Sequence, residues 1–291
     1  MRITFFGSSI TSAYWNGAAT YYRGICRALY RLGHSLTFVE QDIYDRQKHR
    51  DLAKDPEYAE VVICRDLDEI NRELDRSRKS DLIVKCSGVG RYDDYLAQAV
   101  LAARTDRNRV VYWDVDAPHT LDTAFSEPTC EFRDLVPKYD AVLTYGGGPK
   151  VLEGYRRLGA REVELVYNAL DPDIHYPVPV DPAYNCDLLF VGNRLPDREA
   201  RVRNFFLDTA AICPSHRFIL GGEGWGDLPL PPNVRYLGHI PTEWHNRLNC
   251  SAKLVLNINR QAMADYGFSP PTRVFEAAGA GACIVTDNWE G

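Results

Sequence analysis

The chain has 291 residues, 45% of them hydrophobic and 25% charged, with a formal net charge of −6, an ordinary globular composition long enough for one large or two ordinary domains. The acidic balance argues against a partner such as nucleic acid bound through bulk positive charge, while leaving room for a local basic pocket around a diphosphate. The eight cysteines stand singly, with no Cys-x-x-Cys pair. That pattern reads as reduced, buried thiols in a cytoplasmic protein, not a disulfide framework or a zinc site.

The first residues, Met1 to Gly7, are too short for a signal peptide and read as a first strand. No apolar run approaches the roughly 20 residues of a membrane span. Strands are predicted at 3–6, 36–40, 82–86, 110–113, 141–144 and 163–167, with helices at 18–32, 67–78, 94–103 and 131–138. Gly88-Val-Gly90 follows the third strand, and Gly146-Gly-Gly148 precedes a helix whose first turn takes Pro149. Strands alternating with helices build βαβ units, and hence a parallel sheet covered on both faces.

Between Asp171 and Tyr184 stand Pro172, Pro177, Pro179 and Pro182, the composition of a linker. The alternation then restarts, with strands at 186–191, 217–220, 234–237, 254–258 and 283–286 and helices at 199–211, 242–249 and 273–278. The expectation is an α/β chain of two Rossmann-like domains whose parallel sheets face a cleft. The N-terminal domain covers 1–170, the linker 171–185 and the second domain 186–291. In the last strand Ile284 and Val285 are consecutive, which reads as a strand buried on both faces. Few residues follow it, so the second domain is expected to be truncated.

Three places carry chemistry. Residues 189–198 read as strand, glycine turn and helix start, with Gly192 and Asn193 in the turn. Backbone N–H groups and the helix dipole make such a turn receptive to phosphate, and Arg194 and Arg198 add charge-assisted hydrogen bonds. Two solvated arginines capping a helix is the plainer alternative. In 269–286, Ser269 opens a loop, Arg273 and Glu276 form an expected ionic pair at the head of a short helix, and an Ala/Gly run lets backbone approach closely. A tightly packed helix–strand corner would have the same composition. The third place is Asp114-Val-Asp116 with His119 after Pro118, at the end of a strand. Asp116 and His119 are candidates for acting on an acceptor hydroxyl, against a purely loop-structuring role. His239 follows a strand and is a candidate border of a base pocket. The remaining histidines show no metal-ligand spacing, and no metal is expected.

The segment 269–286 is similar to the donor site of GT-B glycosyltransferases. Four segments together resemble the CgeB-like, spore-maturation-type glycosyltransferase family: Gly7-Ser-Ser-Ile-Thr-Ser-Ala-Tyr-Trp-Asn-Gly17 with Thr20-Tyr-Tyr-Arg23, then Val111-Tyr-Trp-Asp-Val-Asp-Ala-Pro-His-Thr-Leu121, then Tyr167-Asn-Ala-Leu-Asp-Pro-Asp-Ile-His175, and last the run from Pro231 to Glu276. The resemblance covers nearly the whole chain. It implies a nucleotide diphosphate sugar as donor on the second domain and a glycan, protein or small molecule as acceptor on the first. It further implies transfer with retention and no required cofactor. Glu276 would hold the ribose hydroxyls, Arg198 the diphosphate, and His119 would lie near the transferred sugar. Asp-x-Asp is the metal signature of the other glycosyltransferase fold, GT-A, so Asp114 and Asp116 are not read as ligands.

The chain also departs from the family pattern. Eight residues before Glu276, where many retaining members carry a second acid, stands Phe268, and the nearest earlier carboxylate is Asp265. Backbone of Tyr266-Gly-Phe-Ser269 is expected in its place. Two further readings stay open: an epimerase of the same fold acting on a nucleotide sugar, and a non-catalytic nucleotide- or sugar-binding module in envelope or spore assembly.

Overall fold

A computed structural model describes every residue except Val89, so the middle of the Gly88-Val-Gly90 turn lies outside the described residues. The chain divides into two compact units. The first holds residues 1–167, with 266–269 and 291; the second holds 168–265 and 270–290. Residues 266–269 therefore pack with the first unit although the chain has already entered the second.

The first unit is built on seven strands, all parallel: β1 (Arg2–Gly7), β2 (Ser35–Gln41), β3 (Glu60–Cys64), β4 (Leu82–Cys86), β5 (Arg109–Asp114), β6 (Ala141–Thr144) and β7 (Val163–Leu165), in the order β3-β2-β1-β4-β5-β6-β7. Neighbouring residues on a strand point to opposite faces, so the sheet buries apolar side chains on both. Phe6, Ile83, Val110 and Tyr112 face a core closed by Ile70, Leu74, Leu96, Val100, Leu121 and Tyr155 from the helices. Phe5 faces the other way, against Phe38 and Trp113, with ring centroids 5.9 and 6.3 Å away. Full burial of such side chains stabilises by roughly 1.5–3 kcal/mol each before entropy is charged.

Two elements of this unit were not predicted. Strand β3 lies at the sheet edge beside β2, reached without an intervening helix, so the βαβ rhythm does not announce it. The helix Ala117–Ser126 begins straight after β5 with Pro118 in its first turn, where a missing N–H costs nothing. Asp116 is therefore a helix N-cap position and not a loop residue.

The second unit carries a five-stranded parallel sheet: β8 (Cys186–Val191), β9 (Phe218–Gly221), β10 (Val234–Tyr236), β11 (Ala252–Asn257) and β12 (Ile284–Thr286), in the order β10-β9-β8-β11-β12. Along β8, Leu189 enters one core with Ile219, Leu248 and Ala277, and Phe190 enters the other with Phe206, Phe218 and Trp225. The expectation that the last strand is buried on both faces is not met: β12 is an edge strand, and Val285 is 44% exposed. The strand order reverses between β8 and β11, which makes the carboxyl ends of these two strands the place where an open α/β sheet offers a ligand its crevice.

Candidate functional site

At the carboxyl end of β8 the chain turns through Gly192 and Asn193, and at the end of β11 stand Asn257 and Asn259. The helix Thr272–Gly279 delivers Arg273 to the same place. A Cβ on Gly192 would lie 2.5 Å from Arg273 Nη2 and 2.9 Å from Arg198 Nη2. Only glycine permits this approach, and the two guanidinium heads lie side by side over the turn. Both also lie over the Phe190 ring, at 5.8 Å for Arg198 and 5.0 Å for Arg273.

Their polar contacts are few. Arg198 is 7% exposed; its Nη2 donates to Asn193 O at 2.6 Å, and its buried Nε has no hydrogen-bond partner. Arg273 Nη1 donates to Asn257 Oδ1 at 3.1 Å. Burial, then the neighbouring Arg273 charge, pushes the Arg198 pKa down to about 9. Burial pushes Arg273 down to about 10, with Glu276 and Asp287 only partly offsetting it. Two desolvated like charges around a glycine turn are costly unless something negative joins them.

The turn itself differs from the sequence expectation. The Gly192 and Arg194 N–H groups are already used, by Gly221 O at 2.9 Å and Glu223 O at 2.8 Å. The anion-receptive character therefore comes from arginine side chains and not from these backbone donors. Arg194 does not join the pair. Its guanidinium is committed to Glu199 at 2.7 and 2.9 Å and to Asp227 at 3.0 Å, a surface clamp that holds the loop. Asn193 is structural on its side-chain oxygen, which accepts from Glu223 N at 2.9 Å.

Glu276 lies one turn along the helix from Arg273. The expected Arg273–Glu276 pairing gives way to another arrangement: the carboxylate, 7% exposed as a residue, is held by His245 Nδ1 at 3.0 Å from Oε2 and faces His175 Nε2 at 3.7 Å from Oε1. Arg273 senses Glu276 only as a favourable charge. His239 is half-buried beyond β10, next to Gly238, whose carbonyl takes the Gly222 N–H at 2.7 Å. Gly222 in turn packs on Gly192, so His239 belongs to the same neighbourhood. Ser269 does not: it packs beside Gly146 in the first unit, with a buried hydroxyl that has no partner.

In the first unit, Asp116 and His119 share the first turn of the helix after β5, at the carboxyl edge of the sheet. Asp116 is half-buried and His119 exposed. Asp114 is a structural group. It is fully buried, accepts the Asp116 N–H at 2.8 Å and takes the Tyr155 hydroxyl on its other oxygen. The loop after β1 is tied down by buried Glu40, which accepts from Ile10 N at 2.8 Å and from the Thr11 hydroxyl, and by Arg23, which donates to Ile10 O at 2.6 Å and pairs with Asp51 at 2.8 Å. Among the described residues no group of three or more His, Cys, Asp or Glu is arranged to hold a metal ion, and no helix is long and apolar enough to cross a membrane.

Sequence reasoning missed His175, His245 and Asn257. Residues 31 and 101 positions from Glu276 in the chain are joined to it only by folding, and nothing local marks them.

Residues 198–291 match the family model described as glycosyl transferase-like. A search of curated proteins returns no match. Among solved structures, an alpha-glucosyltransferase bound to UDP-glucose and DNA containing an abasic site is similar at a TM-score of 0.70 and 14% identity, over 98% of this chain and 79% of that one. Sucrose-phosphate synthase from Thermosynechococcus elongatus is similar at a TM-score of 0.69 and 12% identity, over 100% and 82%. AviGT4, a glycosyltransferase involved in avilamycin A biosynthesis, is similar at a TM-score of 0.62 and 16% identity, over 100% and 79%. The chain has the GT-B fold of these glycosyltransferases, and the stretch that matches the family model lies largely in the second unit.

Proposed function

We propose that the protein is a glycosyltransferase that takes a sugar from a nucleotide diphosphate sugar held on the second unit. The observation that carries this reading is the pair Arg198 and Arg273, buried side by side over Gly192 with an unpartnered Arg198 Nε. A diphosphate offsets both charges, and the same pair stabilises the charge that develops on it as the glycosidic bond breaks. Glu276, on the same helix as Arg273, accepts the ribose hydroxyls next along the donor. His239 borders the base.

The reaction on this reading needs no divalent metal. Two arginines supply the charge, and Asp114 is already engaged by Tyr155 and the Asp116 N–H. Asp116 and His119 are the groups of the first unit proposed to act on the acceptor hydroxyl. Retention of configuration and membership of the CgeB-like group rest on the motif resemblance. The fold neighbours include proteins described as alpha- and as beta-glucosyltransferases, so the fold alone does not select the outcome. Eight unpaired cysteines support a cytoplasmic setting.

A thermal-shift panel of UDP, GDP, ADP and dTDP sugars, followed by product analysis with and without EDTA, tests the reading. One base should raise the melting temperature, and turnover should persist in EDTA. No shift with any donor removes the donor reading. Turnover abolished by EDTA and restored by Mn²⁺ removes the metal-free one. Sugar isomerised without acceptor present would assign an epimerase.

A further inference from the structure

Arginines of the second unit meet two kinds of partner. Arg194 pairs with Glu199 at 2.7 Å, Arg201 with Asp287 at 2.5 Å and Arg260 with Asp197 at 2.9 Å. Arg198 and Arg273, which meet over Gly192, are held by neutral oxygens instead: the Asn193 carbonyl at 2.6 Å and Asn257 Oδ1 at 3.1 Å. Among the described residues no carboxylate forms an ion pair with Arg273; Glu276 and Asp287 reach it only as charges.

Asn257 ends β11, is 1% exposed, and has both ends of its amide engaged. A guanidinium only donates, so the atom that meets Arg273 Nη1 is the amide oxygen. On the other side, Nδ2 donates to Asn259 Oδ1 and to Thr286 Oγ1, each at 3.0 Å. Three contacts that agree leave the amide one orientation. Asn259 is itself fixed from behind: its N–H donates to the Asp287 carboxylate, and its carbonyl accepts from Arg201 at 2.6 Å. Its own Nδ2 is buried without a partner.

We propose that Asn257 is a positioning residue that aims Arg273 through a neutral oxygen, so that the positive charge over Gly192 stays open to an incoming anion. This rests on the diphosphate reading above. An aspartate at this position would have nearly the same shape and would hold the guanidinium more strongly. It would also place a negative charge beside the cation, opposing a diphosphate at the same guanidinium. The amide gives direction without charge. Asn259 and Thr286 supply the acceptors that keep its oxygen turned toward Arg273, so the ligand meets a side chain already ordered.

The test is calorimetric titration of the full chain with inorganic pyrophosphate and with UDP, GDP and ADP, beside urea unfolding without ligand. The proteins compared are the wild type, Asn257→Asp and Asn257→Leu. In Asn257→Asp the new oxygen stands where Nδ2 was, and the Asn259 amide can turn over to meet it with its unpartnered Nδ2. That variant keeps an acceptor on Arg273 and adds an ion pair, so its urea midpoint should lie above that of Asn257→Leu, which has neither. Its pyrophosphate affinity should nevertheless be the lowest of the three, at least about tenfold below the wild type, with Asn257→Leu between. Stability and anion affinity thus run in opposite order in the two variants. The same order in both measurements shows a purely structural amide and overturns the proposal. So does an Asn257→Asp variant whose pyrophosphate affinity stays within about threefold of the wild type. Either result leaves the diphosphate site standing. Should Asn257→Leu not fold, the comparison of Asn257→Asp with the wild type decides alone. A wild type that binds neither pyrophosphate nor any of the nucleoside diphosphates overturns the donor reading and this one together.

Discussion

Replacing Arg198 by methionine should separate stability from binding. Burial and the neighbouring Arg273 charge push its pKa well down, to about 9; at about 1.4 kcal/mol for each pKa unit, holding this cation there costs on the order of 4–5 kcal/mol. Against that stand the charged hydrogen bond to Asn193 O, worth roughly 1.5–3 kcal/mol, and the contact with the Phe190 ring, worth roughly 0.5–2 kcal/mol. Methionine keeps the unbranched, apolar stem of the side chain without its guanidinium, and it relieves Arg273 of a like charge. The ligand-free variant should therefore lie between about 1 kcal/mol less stable and about 3 kcal/mol more stable than the wild type. Urea denaturation, with and without pyrophosphate, reads both quantities. Ligand that binds only the folded state raises stability by RT ln(1 + [L]/Kd), so the wild-type midpoint should climb with pyrophosphate and the variant midpoint should stay flat. A variant that loses more than about 2 kcal/mol without ligand and still responds to pyrophosphate would refute the reasoning, because Arg198 would then be a structural cation.

Gly192→Ala should lower pyrophosphate affinity by about tenfold or more with a smaller loss of stability, since the new methyl group must push aside two guanidinium ends that burial holds in place; calorimetry against urea midpoints checks the split. Tyr155→Phe leaves the buried Asp114 carboxylate short of a donor and should cost roughly 1–3 kcal/mol, measured by urea unfolding at neutral pH, with nucleotide binding to the second unit unchanged. Burial, against the opposing pull of Glu276, depresses the His175 pKa below its ordinary value. As pH falls, the unfolded chain takes up this proton before the folded one, so the stability is present above the ordinary histidine value of about 6.5 and is lost as pH falls through the folded value. His175→Gln should flatten that part of the urea-midpoint profile, and an unchanged slope would show that His175 does not titrate there.

Period and punctuation in the sequence are enough to place most of the sheet strands. Runs such as Leu82-Ile-Val and Leu188-Leu-Phe-Val are too apolar to sit anywhere but between helices, and the Pro-rich stretch from Asp171 marks the break between the two alternations. What escaped has a physical cause in each case. Strand β3 pairs at an edge and needs only one covered face, so its signal is weak. The helix after β5 hides behind Pro118, a residue that forbids a helix interior but not a first turn. At the site, spacing placed Arg273 and Glu276 on one helix but gave the wrong partners: the carboxylate is met by histidines, and the guanidinium by Asn257 and Gly192. Arg194 and Arg198 look alike in sequence. Burial separates them, because two carboxylates reach the first and none pairs with the second. Such partnerships depend on which strand ends meet at the reversal between β8 and β11, and strand order is not written in any local stretch of chain.

The central claim is that the second unit holds a diphosphate between Arg198 and Arg273. It is tested most directly by calorimetric titration of the wild type with a nucleoside, its monophosphate and its diphosphate, for each of the common bases, repeated with Arg198→Met and Arg273→Met. The account predicts that for one base the diphosphate binds at least about tenfold more tightly than the monophosphate, and that each substitution removes this step while leaving the weak nucleoside binding in place. A diphosphate preference that survives both substitutions, or a wild type that binds no nucleoside diphosphate at all, would contradict it.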